Sequence, residues 1–221
     1  MSTAIPATPA VAPTPTYSPP SLPSPFQVDV VTVTRARLHR VYWKGNNPLD
    51  PAVKGNNRYD CPAHVPAANE FGVLYLGYEA ETCWLETVVR DAVVRPAGAP
   101  IPIKASKMTA RWACEVHVQG TLTLATFRDE YLLDLGESAS NIMGDQYLRT
   151  REWSRLLHEH RTPQLDGLQY RSRFKSNELC IALFGRGVTN GKLSVANARS
   201  IDPASSSEIQ AILKRFNVVP V

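Results

Sequence analysis

From Val28 onward the chain is written in short runs of alternating or continuous apolar residues, and these strand-like runs outnumber the helix-like ones. They do not follow the regular strand–helix–strand alternation of a parallel doubly wound sheet, so the order of segments predicts an α+β fold: a single domain with a mixed or antiparallel sheet and flanking helices. VDVVTVT and RARLHRVYW read as strands. In the second, Leu38, Arg40 and Tyr42 share one face and His39, Val41 and Trp43 the other. Phe71 to Tyr78 (FGVLYLGY) is a near-continuous apolar strand, and EAETCWLETVVRDAV directly after it places Ala80, Trp84 and Val88 at α-helical spacing. ARWACEVHVQG and TLTLATF add strands. A helix is expected from Asp145 to His160, with Tyr147, Leu148, Trp153, Leu156 and Leu157 as its apolar stripe. DGLQYRSR and ELCIALFG form a strand pair with Ser172 near the bend, and GRGVTNG reads as a hairpin turn. Ser205 and Glu208 stand in the S-x-x-E spacing of a capping box before a last helix.

Ahead of this domain the composition is different. Residues 1 to 26 hold eight of the 18 prolines and no charged side chain, which leaves neither a helix nor a strand pattern. The expected division is a disordered proline-rich tail over 1–27 and a folded domain over 28–221. The tail has no basic n-region or unbroken apolar stretch, and no segment is long enough for a membrane span, so cytoplasmic residence without membrane contact is expected. A net charge of +4 suits a phosphate-bearing small molecule as well as nucleic acid. Cys61, Cys83, Cys114 and Cys180 lie far apart and read as reduced, mostly buried thiols, while His158 and His160, two apart, fall on different helix faces. No metal site is expected.

Neither a phosphate-binding glycine loop nor a G-x-S-x-G nucleophile elbow is present. The long loop from Lys44 to Asn69, rich in Gly, Pro, Asn and Asp, exceeds what a compact domain tolerates without a use for it. Arg58 and Tyr59 lie inside it. Tyr75, Glu86 and Tyr170-Arg171-Ser172-Arg173 complete a set of polar groups placed where strands end or bend. Each has a purely structural reading: Arg58 as a solvated charge, Tyr75 as a core aromatic, Glu86 paired with Arg90 at i+4, Ser172 as a turn cap. The residue types alone lead as far as an α+β domain with a candidate anion site.

In order, N-N-R-Y-D, V-L-Y-L-G-Y-E-A-E-T-C-W-L-E, D-G-L-Q-Y-R-S-R and a closing A-L-F resemble the RES domain, a family named for its Arg, Glu and Ser. The resemblance runs over about residues 35 to 190, with Asn57 in place of the usual glycine before the Arg and with Trp84 and Leu85 in place of small residues before the Glu. It implies a fold similar to ADP-ribosyltransferases and a toxin of a bacterial toxin–antitoxin pair. Such a toxin destroys NAD as an NAD phosphorylase, releasing nicotinamide and ADP-ribose 1''-phosphate, and is paired with an Xre-like antitoxin. NAD and inorganic phosphate are then substrates, with no cofactor and no direct nucleic-acid contact. The catalytic set implied is Arg58, Tyr75, Glu86 and Ser172, with Tyr59, Arg40 and Arg171 as NAD-binding residues.

These roles suit the chemistry. Breaking the nicotinamide–ribose bond builds positive charge on the sugar, which a carboxylate such as that of Glu86 stabilises most in the transition state. Arg58 can hold the pyrophosphate or an incoming phosphate. Tyr75 offers a ring for nicotinamide with Tyr59 as a second wall, and Ser172 a donor to a phosphate or ribose oxygen. Two rival readings remain: transfer of ADP-ribose to a protein, and a non-catalytic module that binds an anionic partner through Arg149, Arg151, Arg155 and Arg161.

Overall fold

The structure, a computed structural model, describes residues 27–53, 57–90, 96–144, 147–189, 191–204 and 206–221. Apart from Gln27, the proline-rich tail lies outside the described residues. Val30–Thr34 (β1) and Arg37–Trp43 (β2) come first; beyond the long loop, Val73–Gly77 (β3) leads into helix Ala80–Trp84 (α1), which continues as a π-helical turn over Leu85–Val89. Ile101–Ile103 (β4), helix Ala105–Thr109 (α2), Arg111–Val118 (β5) and Thr121–Thr126 (β6) follow. Short helices Tyr131–Asp134 (α3) and Ala139–Met143 (α4) precede the longer Leu148–Glu159 (α5). The chain ends with Gly167–Arg171 (β7), Leu179–Phe184 (β8), Gly185–Thr189 (α6), Leu193–Ser200 (β9), Ser207–Arg215 (α7) and Val218–Pro220 (β10).

Eight strands form one sheet in the order β1-β6-β7-β8-β3-β2-β5-β9, while β4 and β10 pair in parallel in a small second sheet. In the large sheet β6 and β7 run parallel and the other neighbours antiparallel. The mixed sheet with helices around it is the α+β architecture that the segment order predicts. β3 explains why its sequence is apolar throughout. Leu74 and Leu76 enter one core cluster while Val73, backed by Tyr75, enters another on the opposite face, so both faces of the strand are covered.

One irregularity in the sheet creates the space that matters. β2 and β5 stay paired over their full length from Arg37↔His117 to Trp43↔Arg111, but β2 and β3 meet only at His39↔Gly77. Beyond that pair the strands fork. Gly77 is required at the crotch: a Cβ there would lie 2.7 Å from Cys83 Sγ, inside any normal contact. The Cys83 thiol in turn donates to the His39 carbonyl at 3.0 Å, which supplies a partner where the ladder has ended.

Several local expectations are revised. The expected hairpin turn GRGVTNG instead opens with helix α6 over Gly185–Thr189, with Asn190 outside the described residues; β8 lies between β7 and β3 while β9 sits on the far edge beside β5, so the connection has to cross the sheet. Helix α5 buries Trp153 and Leu157, whereas Leu148 is 60% exposed; Asp145 lies outside the described residues, as does Ser205. The last helix is capped instead by Ser206, whose hydroxyl accepts from the Ile209 N–H. All four cysteines are buried free thiols. Among the described residues no cluster of metal ligands forms and no helix is long and apolar enough to cross a membrane.

Candidate active site

The fork between β2 and β3 opens into a cavity of about 490 Å³, a size that takes a small-molecule ligand. Arg40 to Trp43 line it from β2, Val73, Tyr75 and Leu76 from β3, and Glu86, Thr87 and Arg90 from the helical segment that follows. Four guanidinium groups, those of Arg40, Arg58, Arg90 and Arg111, face two carboxylates, Asp50 and Glu86. The balance favours an anionic ligand with one cationic or cation-forming centre.

Glu86 sits on the π-helical turn. This stretch keeps Trp84, Leu85, Val88 and Val89 in the core and so leaves Glu86, Thr87 and Arg90 to the cavity. Wider turns of this kind recur at functional sites; no Pro or Gly marks this one in the sequence, which reads as plain α-helix. The carboxylate is held through one oxygen: Oε1 accepts from Ser172 Oγ at 2.6 Å and from the Arg173 N–H at 2.8 Å. Among the described residues Oε2 has no hydrogen-bond partner.

Ser172 therefore does a different job from the one expected. It is fully buried, it does not line the cavity, and its Oγ accepts from the Phe174 and Lys175 N–H groups at 3.2 Å each while donating to Glu86. It caps the β7–β8 turn and aims the carboxylate; a ligand cannot touch it. Lys175 fastens the same turn to α1 through Glu81 at 3.0 Å.

Across the cavity, Arg58 is buried with 6% of its surface exposed. Its guanidinium lies over the Tyr170 ring, 5.7 Å from the centroid, and among the described residues its buried Nε and Nη1 find no hydrogen-bond partner. Buried donors left open in this way cost free energy unless a ligand meets them. Burial by itself would lower the Arg58 pKa, but the neighbouring Tyr59, Tyr170 and Glu86 reverse that and hold it raised, so the cation persists.

What fixes Arg58 is a set of contacts that the sequence does not announce. Asp60, fully buried, accepts from the Asn57 N–H at 2.8 Å, from Asn57 Nδ2 at 3.3 Å and from the Tyr75 hydroxyl at 2.8 Å. The Tyr75 oxygen also accepts from the Tyr59 N–H at 2.9 Å. Burial, followed by the charge of Asp60, raises the Tyr75 pKa well above the usual value; the phenol stays protonated and its hydroxyl is fully engaged. From the other side α5 clamps three consecutive carbonyls: Arg151 Nε donates to Asn57 O, Thr150 Oγ1 to Arg58 O and Ser154 Oγ to Tyr59 O, at 3.0, 2.6 and 2.7 Å.

The expected NAD-binding residues separate. Arg40 lines the cavity, donating to the Pro48 and Asp50 carbonyls; burial pulls its pKa down to about 10, still cationic at neutral pH. Tyr59 does not form a wall. It is fully buried, packed edge-on to Phe127 and against Tyr170, with its hydroxyl beside Arg58 yet outside hydrogen-bond geometry. Arg171 is also away from the cavity, because alternation along β7 turns it to Asp129, which it meets at 2.9 Å. Arg149 and Arg155 pair with Glu137, and with Glu152 and Glu159. With Arg151 on the loop, the α5 arginines serve the protein itself. Arg90, which donates to Asn57 Oδ1, and Arg111 are cavity residues missed from sequence; an isolated arginine on a strand or helix carries no signal of where long-range packing sends it.

The RES domain family model matches residues 32–202. Among solved structures, the fold is similar to a chain of the crystal structure of the M. tuberculosis MbcT–MbcA toxin–antitoxin complex, with a TM-score of 0.58 and 16% identity over 80% of this chain and 89% of that one. No curated protein matches the chain. Because the family model spans the large sheet, the fork and the carboxylate with its buried serine, the chain belongs to the RES domain family.

Proposed function

We propose that the protein is an NAD-consuming enzyme that cleaves the nicotinamide–ribose bond with phosphate as acceptor, acts in the cytoplasm as a growth-arresting toxin, and is restrained by an antitoxin protein. The observation that carries this reading is the pairing of Glu86, locked through Oε1 by Ser172 and Arg173, with Arg58, whose buried Nε and Nη1 lack partners among the described residues, on the walls of one cavity. A toxin–antitoxin complex among similar folds supports the antitoxin partner.

In this reading the C–N bond between C1″ of the ribose and the nicotinamide breaks, its electron pair leaves with a neutral pyridine, and the sugar becomes oxocarbenium-like. The Glu86 carboxylate stabilises that charge more than it stabilises the ground state, and a rigid anion does so without reorganising. A phosphate oxygen then forms the new bond to C1″, giving ADP-ribose 1''-phosphate. Arg58, in the cavity lining, places its guanidinium charge beside phosphate oxygens, and charge-assisted bonds are stronger than neutral ones. The half-buried Tyr75 ring, fixed through its hydroxyl, is a flat wall for nicotinamide.

Glu86→Gln keeps the shape and removes the charge. NAD loss, followed by product analysis, should fall at least about 100-fold while the circular dichroism melt stays near wild type; undiminished turnover refutes the assigned role. Incubating labelled NAD with phosphate, with and without lysate, separates a soluble phosphorylated product from a labelled protein band, the mark of an ADP-ribosyltransferase.

A further inference from the structure

Trp43, the last residue of β2, belongs to the cavity wall but not to the chemistry described above. It is directly opposite Arg111 in the β2–β5 register, and the Arg111 guanidinium stacks on its ring. Cross-strand neighbours on one face of a ladder are close enough for such a contact, which holds an aromatic plane steady. The indole is nonetheless 53% exposed, as expected for a ring with one face covered and the other bare. Of the tryptophans that could have been left in solvent, Trp84 and Trp153 are fully buried. The exposed one lies at the open end of the fork, several residues along β2 from His39↔Gly77, where the strands part. Directly after it the chain turns, with Gly45 at φ +90 and the Asn46 N–H donating to the Trp43 carbonyl at 3.1 Å. The turn returns Asn46 to the same cavity, where its side-chain amide has no hydrogen-bond partner among the described residues.

We infer that Trp43, backed by Arg111, is the stacking platform for the purine base at the far end of the dinucleotide. This rests on the NAD reading for the choice of ligand and adds where its second base is held. A dinucleotide has two flat bases joined by a pyrophosphate; of the five aromatic residues in the cavity lining, Tyr42 and Tyr170 are buried, Tyr75 and Tyr147 are partly buried, and Trp43 at the lip is the exposed one, with guanidinium groups lining the space between. A purine has a π-face that an indole covers well, and the cation behind the indole fixes its orientation without occupying the free face. Asn46 offers one donor and one acceptor to the edge of the base. The purine supplies binding energy remote from the bond that breaks, so its loss is felt chiefly in affinity.

The test uses AMP, which carries the base without the scissile bond, and ribose 5-phosphate, which lacks the base. Both are titrated against wild type, Trp43→Phe and Trp43→Ala, followed by tryptophan fluorescence and by calorimetry. AMP should quench the emission of wild type and bind it about tenfold more tightly than Trp43→Ala, within the range for loss of one base–aromatic stack. Ribose 5-phosphate should bind both alike, and Trp43→Phe, which keeps a flat ring, should stay within about threefold of wild type. Steady-state assays should show the same loss in KM for NAD with little change in kcat. Equal AMP affinity in wild type and Trp43→Ala overturns the inference, as does a Trp43→Phe variant as weak as the alanine, since that outcome assigns the loss to packing on Arg111. If AMP binding depends on Trp43 while wild type leaves NAD intact, the base site stands and the proposed reaction falls.

Discussion

Ser172 is buried and donates to Glu86, and on the proposed reading this makes its loss distinguishable from loss of a binding group. Ser172→Ala removes one of two donors to Oε1 and leaves the Arg173 N–H in place. One charge-assisted hydrogen bond corresponds to about 2 kcal/mol, so kcat should drop roughly 10- to 30-fold with KM changed by less than about twofold; steady-state kinetics decides it. A large rise in KM would return Ser172 to the binding role expected from sequence. Asp60 acts on structure more broadly. Asp60→Ala strands the Tyr75 hydroxyl and both Asn57 donors in a buried site, which should cost about 2 kcal/mol or more and lower the melting temperature by several degrees, measured by calorimetry. At this scale the reading of the sequence is uneven for a physical reason. Arg58, Tyr75 and Glu86 are recognisable because a charge or a polar ring stands in an apolar run or an overlong loop. Tyr59 and Arg171 were placed on the wrong side because alternation and burial, not residue type, decide which of two neighbours faces the cavity. Asp60 had a faint signal, an Asn and an Asp three apart in a turn-rich segment, while Trp43 looked like any strand-end aromatic.

The fork is the element-scale feature on which the site depends, and it is set by Gly77 and Cys83. Adding a methyl in Gly77→Ala forces it to 2.7 Å from Cys83 Sγ; α1 must then lift from β3, and because Glu86 follows on the same helical segment, the melting temperature and NAD turnover should fall together. A variant that melts lower yet turns over NAD at the wild-type rate would show that the segment is not rigidly coupled to the crotch. Helix α5 is the second such element. Its buried polar side chains Thr150 and Ser154 hold backbone carbonyls rather than core, so Thr150→Val with Ser154→Ala should speed hydrogen exchange across residues 57–60 while the amides of β3 and β8 stay protected. The strands themselves were legible, since a period of two or an unbroken apolar run survives any tertiary context. The β2–β3 split and the π-helical turn were not, because both arise from how elements meet. The same limit accounts for GRGVTNG, whose turn-like composition says nothing about which strands it joins.

At the scale of the whole molecule, the pH dependence of stability follows from histidines taken out of water. His158 stacks on Phe71 and meets Phe184 edge-on, and burial, then the charges of Arg186 and Arg161, pull its pKa down to about 4; burial also lowers that of His39. The unfolded chain binds these protons near pH 6.5, the folded one only at lower pH, so the stability they contribute is complete above about 6.5 and is lost as pH falls toward about 4. Thermal melts from pH 7.5 to 4.5 should show this decline, and His158→Phe, which keeps a ring on Phe71, should flatten part of it. The hydrogen bond between Ser172 and Glu86 spans 86 positions of chain and joins the helical segment after β3 to the turn between β7 and β8, three strands that are neighbours in the sheet. A nascent polypeptide halted anywhere before that serine has an acidic side chain at position 86 with nothing to steer it. On the proposed reading, the site is therefore complete only once residues 172 and 173 have been made and packed against Glu86.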